Sequence, residues 1–388
     1  MKIAVIGVKG IPANQGGIEH YCQELYQNIA SQEHNVELYA RSSYTKAKSF
    51  STYDCYGVKV ISLPSIPFKS LDALVNSFLA AVIATFVKYD IIHFHALGPS
   101  IFSWIPRLFC SSKIVVTCHG LDWQRAKWSQ LGSSIIRSGE RVGVSCANEI
   151  IVVSQNLQTY FQKEYGIKPT YIPTAPAKYA ESKTVSSYND SLNLKKGHYI
   201  LFVGRLVPEK RPDLLLKAFK MIDLPGWKLV FVGDTSNTAK YKMQLLADKN
   251  EDVIFTNTLT GVPLADVVRN AGLFVLPSDL EGLPLVMLEA MREGIPVLAS
   301  DIAPHRQLIG EDRGWLFKAG DLPSLVSNLQ KLLSNSLNLN VTAKAAQKYV
   351  EANYNWKKVT YQNLMLYNKL SKRLIDENQE INVSSGLK

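Results

Sequence analysis

The chain has 388 residues, 46% of them apolar and 20% charged, with a formal net charge of +10. That is too long for one ordinary domain and long enough to bury two cores, and the composition excludes disordered, fibrous and disulfide-scaffold classes. The positive excess is shared evenly between residues 1–190 and 191–388, so no basic arm points to nucleic acid. A pI near 9.2 fits either solvated surface charge or attraction to an anionic membrane.

Cys22, Cys55, Cys110, Cys118 and Cys146 are odd in number and lack metal or redox spacing; they read as reduced thiols of a cytoplasmic protein. The chain opens directly on a strand pattern, so no signal peptide is expected. The longest apolar stretch, Ala73 to Val87, contains Asn76 and Ser77 and is shorter than the ~20 residues a membrane span needs, so it reads as a buried helix packed on a sheet.

In chain order, apolar runs predict strands at 2–6, 35–40, 58–62, 90–94, 113–117, 149–153 and 169–172. Helical patterns fall at 18–31, 72–88, 99–109, 133–147 and 155–165. The stretch 176–197 lacks periodicity and reads as a linker. A second series follows, with strands near 199–203, 228–232, 252–256, 272–276, 296–299 and 314–317. Helices are expected between them at 211–222, 237–248, 263–270, 284–293, 304–309 and 321–335. Strands alternating with helices predict α/β architecture: two doubly wound, Rossmann-like domains facing a cleft, at 1–175 and 198–350, with a helical segment at 351–388.

Several strand ends carry candidate chemistry. The loop Gly7 to Gly17 is no dinucleotide fingerprint, but paired Gly16 and Gly17 before a helix let backbone N–H groups approach an anion. Glu19 and His20 open that helix. His119 ends the 113–117 strand before Gly120, at an edge where open sheets bind ligands. Asp122, Trp123, Arg125, Lys127 and Trp128 follow; the tryptophans suit either stacking on an acceptor sugar or packing on each other, and Asp122 is a candidate acceptor base. Near the second domain's start, Tyr199 to Phe219 reads strand, loop, helix, with Arg205 and Lys210 on the loop. An Arg fork and a Lys point charge there can clamp a diphosphate and neutralise a leaving group.

Seven residues separate Glu281 from Glu289, within Leu-Pro-Ser-Asp-Leu-Glu-Gly-Leu-Pro-Leu-Val-Met-Leu-Glu-Ala-Met. Pro284 suits the first turn of a helix, placing both carboxylates around a helix N-terminus that attracts an anion. Carboxylates accept from hydroxyls, so the combination suits a sugar carried on a nucleotide diphosphate, with Gly282, Leu283, Pro284, Leu285 and Val286 supplying the anion-facing turn. Two glutamates merely complementing a helix dipole is the plainer alternative.

The Val203-Gly204-Arg205 to Lys210 loop and the Glu281–Glu289 pair resemble the donor site of retaining glycosyltransferase family 4, over most of the chain. The segments 10–21 and 119–128 resemble a bacterial subgroup that builds exopolysaccharide, capsule and O-antigen repeats and includes rhamnosyltransferases. The resemblance implies a GT-B fold whose final helix crosses back onto the first domain. It also implies a retaining, front-face hexosyl- or rhamnosyltransferase acting on a lipid-linked saccharide, at the inner membrane face as a peripheral protein.

In that reading Gly16 and Gly17 lie against the donor phosphate and His119 beside the transferred sugar. Glu289 holds ribose hydroxyls, Glu281 the donor sugar, Arg205 and Lys210 the departing diphosphate. Glu19, Asp122, Trp123 and Arg125 face the acceptor. No Asp-x-Asp signature adjoins these residues, so no cofactor or metal is expected, and no nucleic-acid partner. The chain departs from the family at Thr174-Ala175, where Asn-Gly is common, and at Asn257, where Gly is common. The rival functions are a nucleotide-sugar epimerase of the same fold and a non-catalytic nucleotide-sugar binder.

Overall fold

The structure is a computed structural model describing residues 1–13, 16–67, 69–124, 129–181, 187–234, 239–334 and 339–385. The chain forms two compact units, Met1–Ala175 with Trp356–Lys388, and Pro176–Asn355.

The first unit is an eight-stranded sheet of β1 (Lys2–Ile6), β2 (Asn35–Arg41), β3 (Thr52–Cys55), β4 (Val58–Leu63), β5 (Ile91–His95), β6 (Lys113–Cys118), β7 (Glu149–Val152) and β8 (Thr170–Tyr171). Their order is β3-β4-β2-β1-β5-β6-β7-β8, and all pairs are parallel except β3–β4. The helices are α1 (Gly17–Ala30), α2 (Ser42–Thr45), α3 (Lys69–Phe86), α4 (Trp104–Phe109), α5 (Gln130–Cys146) and α6 (Gln155–Tyr165).

Side chains alternate across the sheet. Ile3 and Val5 of β1 pack with Tyr21, Leu25 and Ile29 of α1 on one face, while Ala4 and Ile6 pack with Ala80, Ala81 and Ala84 of α3 on the other. Each large apolar side chain so buried contributes about 1.5–3 kcal/mol. The strand series is the expected one with β3 added. This edge strand shows no apolar run because only its last residue is buried, and it turns into β4 through Tyr56 and Gly57, both at positive φ (56° and 80°).

The Ala73–Val87 stretch is a helix on the sheet, as expected, but only its inner face is covered. Small alanines let α3 lie close to β1, and the larger Phe78 and Phe86 are left exposed.

The second unit is a wholly parallel sheet of β9 (Tyr199–Val203), β10 (Lys228–Val232), β11 (Val253–Phe255), β12 (Leu273–Leu276), β13 (Val297–Ser300) and β14 (Trp315–Phe317), ordered β11-β10-β9-β12-β13-β14. Its helices are α7 (Ser187–Ser191), α8 (Pro212–Lys220), α9 (Ala239–Leu246), α10 (Gly261–Arg269), α11 (Leu285–Arg292), α12 (Ala303–Ile309), α13 (Leu322–Ser334) and α14 (Leu339–Asn353). The stretch read as a structureless linker contains α7, which packs on α10. Asn189 is its buried anchor, donating to the Asp266 carbonyl at 3.2 Å.

The last helix, α15 (Trp356–Ser385), belongs to the first unit: Val359, Leu366, Tyr367 and Leu370 join the core beneath α1.

Among the described residues, no helix is long and apolar enough to cross a membrane.

Candidate active site

In the second unit the strand order reverses between β9 and β12, a switch point at which open sheets bind ligands beyond the strand carboxyl ends. The Arg205–Lys210 loop leaves β9 and the Glu281 loop leaves β12, so the two motifs, some seventy residues apart in sequence, are neighbours. The Asp279 amide donates to the Glu209 carbonyl at 2.9 Å, and Arg211, left-handed at φ 50°, reaches Asp279 at 3.2 Å. Close approach of β9 and β10 at this edge requires Gly233, where a Cβ would lie 1.9 Å from the Gly204 carbonyl oxygen.

Lys210 Nζ donates to Glu281 Oε1 in a direct ion pair, and Ser278 Oγ donates to the same oxygen at 2.8 Å. Burial alone would raise the Glu281 carboxyl. The charge of Lys210 and these hydrogen bonds outweigh it and hold the group below the ordinary carboxylate range. Arg205 lies on the same loop, 3.6 Å from Glu209.

Sequence reasoning missed His305. It is fully buried, its Nδ1–H donates to the Ser300 carbonyl at 2.8 Å, and its Nε2 has no hydrogen-bond partner. Burial pushes it down to about 4 despite nearby Glu281, so the ring is neutral near pH 7. The available signal was its position: the third residue of a helix that follows the strand next to β12.

Helix α11 starts at Leu285, with Pro284 capping it instead of occupying its first turn. No side chain caps this N-terminus, and the Pro284 carbonyl accepts from Met287 at 3.1 Å and Leu288 at 3.2 Å. The turn Gly282 to Val286 therefore presents an uncapped helix start beside Glu281.

Glu289 lies one turn into α11 and accepts from the Tyr179 hydroxyl at 2.9 Å. Burial raises its carboxyl to about 7, against the hydrogen bond from Tyr179 and the charge of Arg292. Tyr179 lies in the stretch to which the sequence assigned no role. Asn257 does adopt the left-handed conformation (φ 58°), and its carbonyl accepts from Gly233 at 2.9 Å.

In the first unit, Gly16 precedes α1 at φ 101°, and the Glu19 carboxylate folds over it so closely that a Cβ on Gly16 would lie 1.9 Å from Glu19 Oε2. Glu19 thus occupies the helix start where Gly16 and Gly17 were expected to meet phosphate. It is buried and lies 3.8 Å from Lys9.

His119 follows β6 and is half-buried. Its Nε2 lies 3.1 Å from His95 Nδ1, and Tyr21 meets its ring edge-on at 4.8 Å. Trp123 packs: its indole N–H donates to buried Glu140 at 3.0 Å, and Arg137 covers its ring at 5.1 Å. The Asp122 amide donates to the Gly120 carbonyl at 2.9 Å. Arg125, Lys127 and Trp128 lie outside the described residues. Behind His119 stand His93, His95, Tyr26 and Tyr367, all fully buried and all missed in the sequence, although the two histidines alternate along a strand and must share a face.

Two Rossmann-like units, with paired loops at the switch point of the second, define a GT-B architecture. Residues 15–176 match the model of glycosyltransferase family 4, and residues 187–356 that of glycosyl transferases group 1. The chain belongs to these glycosyltransferases of the GT-B type.

It is similar to the UDP-Gal:alpha-D-GlcNAc-diphosphoundecaprenol alpha-1,3-galactosyltransferase of Escherichia coli, 26% identical over 283 residues, 69% of this chain and 72% of that protein. It is also similar to a D-inositol 3-phosphate glycosyltransferase of Rhodococcus erythropolis, 25% identical over 392 residues, 92% of this chain and 88% of that protein. Among solved structures, a sucrose-phosphate synthase from Thermosynechococcus elongatus superposes with TM-score 0.82 at 23% identity, covering 95% of this chain and 98% of that one. Anabaena HepE in complex with UDP and glucose gives 0.78 at 20%, covering 95% and 100%. At these identities the structural likeness carries the fold.

Proposed function

We propose that this protein transfers a sugar from a nucleotide diphosphate-sugar to a hydroxyl of a lipid-linked saccharide, with retention at the anomeric carbon and without a metal ion, in the synthesis of a cell-surface polysaccharide. The observation that carries the reading is the joining of Lys210 to Glu281 at the β9/β12 switch point, beside the uncapped start of α11. Cation, carboxylate and helix start form an arrangement suited to a sugar diphosphate.

Arg205 and Lys210 neutralise the leaving diphosphate together with the turn 282–286. Glu281 holds sugar hydroxyls and Glu289 the ribose. On the first unit the sequence resemblance assigns His119 to the transferred sugar and Asp122 to the acceptor. In this reading the side-chain cations Arg205 and Lys210 take the place of a metal.

The acceptor class is supported by the Escherichia coli relative, whose name specifies a diphosphoundecaprenol acceptor, and by an amylovoran biosynthesis glycosyltransferase of Erwinia amylovora, 25% identical over 193 residues. An exposed apolar face of the first unit supports peripheral membrane contact. Phe78 and Phe86 on α3 stand with Trp104, Leu108 and Phe109 on α4, Phe86 being 84% and Phe109 68% exposed, and the two helices pack together. Lys88 and Arg107 are exposed beside them. The only carboxylate between Ala73 and Leu121 is Asp90, which accepts from the Lys2 amide at 2.7 Å. Aromatic groups rimmed by cations suit an anionic lipid surface.

The epimerase alternative is not favoured, since the relatives named above are all transferases. Two measurements test the reading. A thermal-shift panel of UDP-, GDP-, ADP- and dTDP-sugars, dTDP-rhamnose included, should reveal one stabilising donor, by about 2.7 kcal/mol at a hundredfold excess over Kd. Sedimentation with anionic vesicles should carry the protein down, and Phe86→Ser with Phe109→Ser should abolish this. No stabilising nucleotide sugar would reject the donor class, and no vesicle binding would reject the membrane contact.

A further inference from the structure

The first unit contains a continuous buried hydrogen-bond chain ending at His119. His93 and His95 face the same side of β5, their rings stacked with centroids 4.2 Å apart, and the His95 and His119 rings stack at 5.4 Å. Thr117 Oγ1 lies 2.7 Å from His93 Nε2. The Tyr367 hydroxyl of α15 lies 2.6 Å from His93 Nδ1, while the Tyr26 hydroxyl of α1 lies 2.9 Å from His93 Nδ1 and 2.7 Å from His95 Nε2. His95 Nδ1 then meets His119 Nε2 at 3.1 Å. Every member but His119 is fully buried. Burial holds His93 and His95 far below the usual histidine range, so each ring carries one proton.

The Tyr26 and Tyr367 hydroxyls also bond to each other, so the distances admit two proton orders, and the one proposed below places a donor in each of the two shortest tyrosine–histidine contacts. In that order Tyr367, 2.6 Å from His93 Nδ1, donates there, so the His93 proton lies on Nε2 and goes to Thr117. With His93 Nδ1 occupied, Tyr26 gives its proton to the nearer His95 Nε2. The His95 proton is then on Nδ1 and is donated to His119 Nε2, which leaves the proton of neutral His119 on Nδ1. A ring bound in this way is a hydrogen-bond donor through one defined nitrogen and cannot act as a base through the other.

We propose that Tyr26 and His95, anchored by Tyr367 of the terminal helix, are positioning residues that hold His119 as its Nδ1–H tautomer for the transfer reaction. The part His119 plays in transfer rests on the function proposed above; the tautomer does not. The same hydroxyl of Tyr367 ties α15 to the chain. Its loss frees His93 Nδ1 to take the Tyr26 proton, so that His95 Nε2–H turns toward Tyr26, His95 Nδ1 becomes an acceptor and His119 switches to Nε2–H.

The test is long-range ¹H–¹⁵N spectroscopy of the intact, ¹⁵N-histidine-labelled protein, with His119 assigned from the spectrum of His119→Gln, alongside steady-state kinetics. The wild-type protein should show His119 protonated on Nδ1, and Tyr367→Phe should move it to Nε2. Tyr26→Phe and His95→Leu should lower kcat by roughly tenfold, the size expected for one buried hydrogen bond, with donor KM nearly unchanged. His95→Asn, whose amide N–H stands near the lost Nδ1–H, should recover most of the turnover.

A wild-type His119 protonated on Nε2 overturns the proposal, as does an unchanged spectrum in folded Tyr26→Phe and Tyr367→Phe. A changed tautomer with unchanged turnover overturns the positioning role. A wild-type protein that shows the Nδ1–H signature and its loss in Tyr367→Phe, yet transfers no sugar, supports the relay and counts against the proposed function instead.

Discussion

Tyr179 donates its hydroxyl to Glu289 at 2.9 Å. The carboxylate assigned to the ribose is thus already satisfied by a residue of its own unit, and a nucleotide has to replace that donor with its own hydroxyls. Tyr179→Phe removes the competitor. At pH 8, where Glu289 is ionised, it should tighten nucleotide binding roughly five- to tenfold, the magnitude of one hydrogen bond. Calorimetric titration with the nucleotide identified in the thermal-shift panel checks this.

Glu289 also sets a pH dependence. Its carboxyl is raised to about 7 from an ordinary 4.5. A raised acid adds no cost below the unfolded value; as pH rises from about 4.5 to about 7 the unfolded chain ionises first, and stability falls by on the order of 2–3 kcal/mol. Glu289→Gln should therefore match the parent in urea unfolding at pH 4 and exceed it at pH 8. The same variant, lacking the charged acceptor for ribose, should bind nucleotide about 1.5–3 kcal/mol more weakly at pH 8. In the parent, nucleotide affinity should fall as pH drops below 7, with a proton released on binding at pH 6.

Lys210→Ala should lower turnover on the order of 10²- to 10³-fold while changing donor KM far less, because the leaving diphosphate gains charge only as its bond breaks. Arg205→Lys should also be poorly tolerated, since an ammonium does not copy the guanidinium fork, and the two effects should be non-additive. Removing Lys210 strands the Glu281 charge at a cost of about 3–5 kcal/mol, so activity is compared below the variant's own Tm. Near-normal turnover in both variants would remove these residues from the chemistry.

Exhaustive chelation with EDTA, followed by the transfer assay, should leave turnover unchanged if Arg205 and Lys210 do the neutralising. An absolute requirement for Mg²⁺ or Mn²⁺ would overturn that assignment.

Much of the fold was legible because parallel strands buried on both faces read as continuous apolar runs, as Ile3 to Ile6 and Tyr199 to Val203 do. Edge strand β3 was not, since one-sided burial leaves it no such run. Of the site, the Glu281 and Lys210 motifs could be read because local spacing places each on a strand-to-helix loop. Their ion pair could not be, because it depends on β9 and β12 being neighbours. Tyr179 and the His93–His95 pair were passed over for the same reason: each gains its meaning from a partner distant in sequence, 110 residues away for Tyr179 and Glu289 and 274 for His93 and Tyr367. Helix α7 was lost in a polar stretch whose anchor, Asn189, is a single buried amide.

The account stands on retaining transfer from a nucleotide diphosphate-sugar, and product stereochemistry tests that most directly. The donor found in the thermal-shift panel is incubated with the protein and a lipid-diphosphate saccharide, and the new linkage is examined by NMR at the anomeric proton while released nucleoside diphosphate is measured. The predicted result is stoichiometric nucleoside diphosphate and a product with the anomeric configuration of the donor. An inverted linkage, or nucleotide sugar interconverted with no transfer, would contradict it.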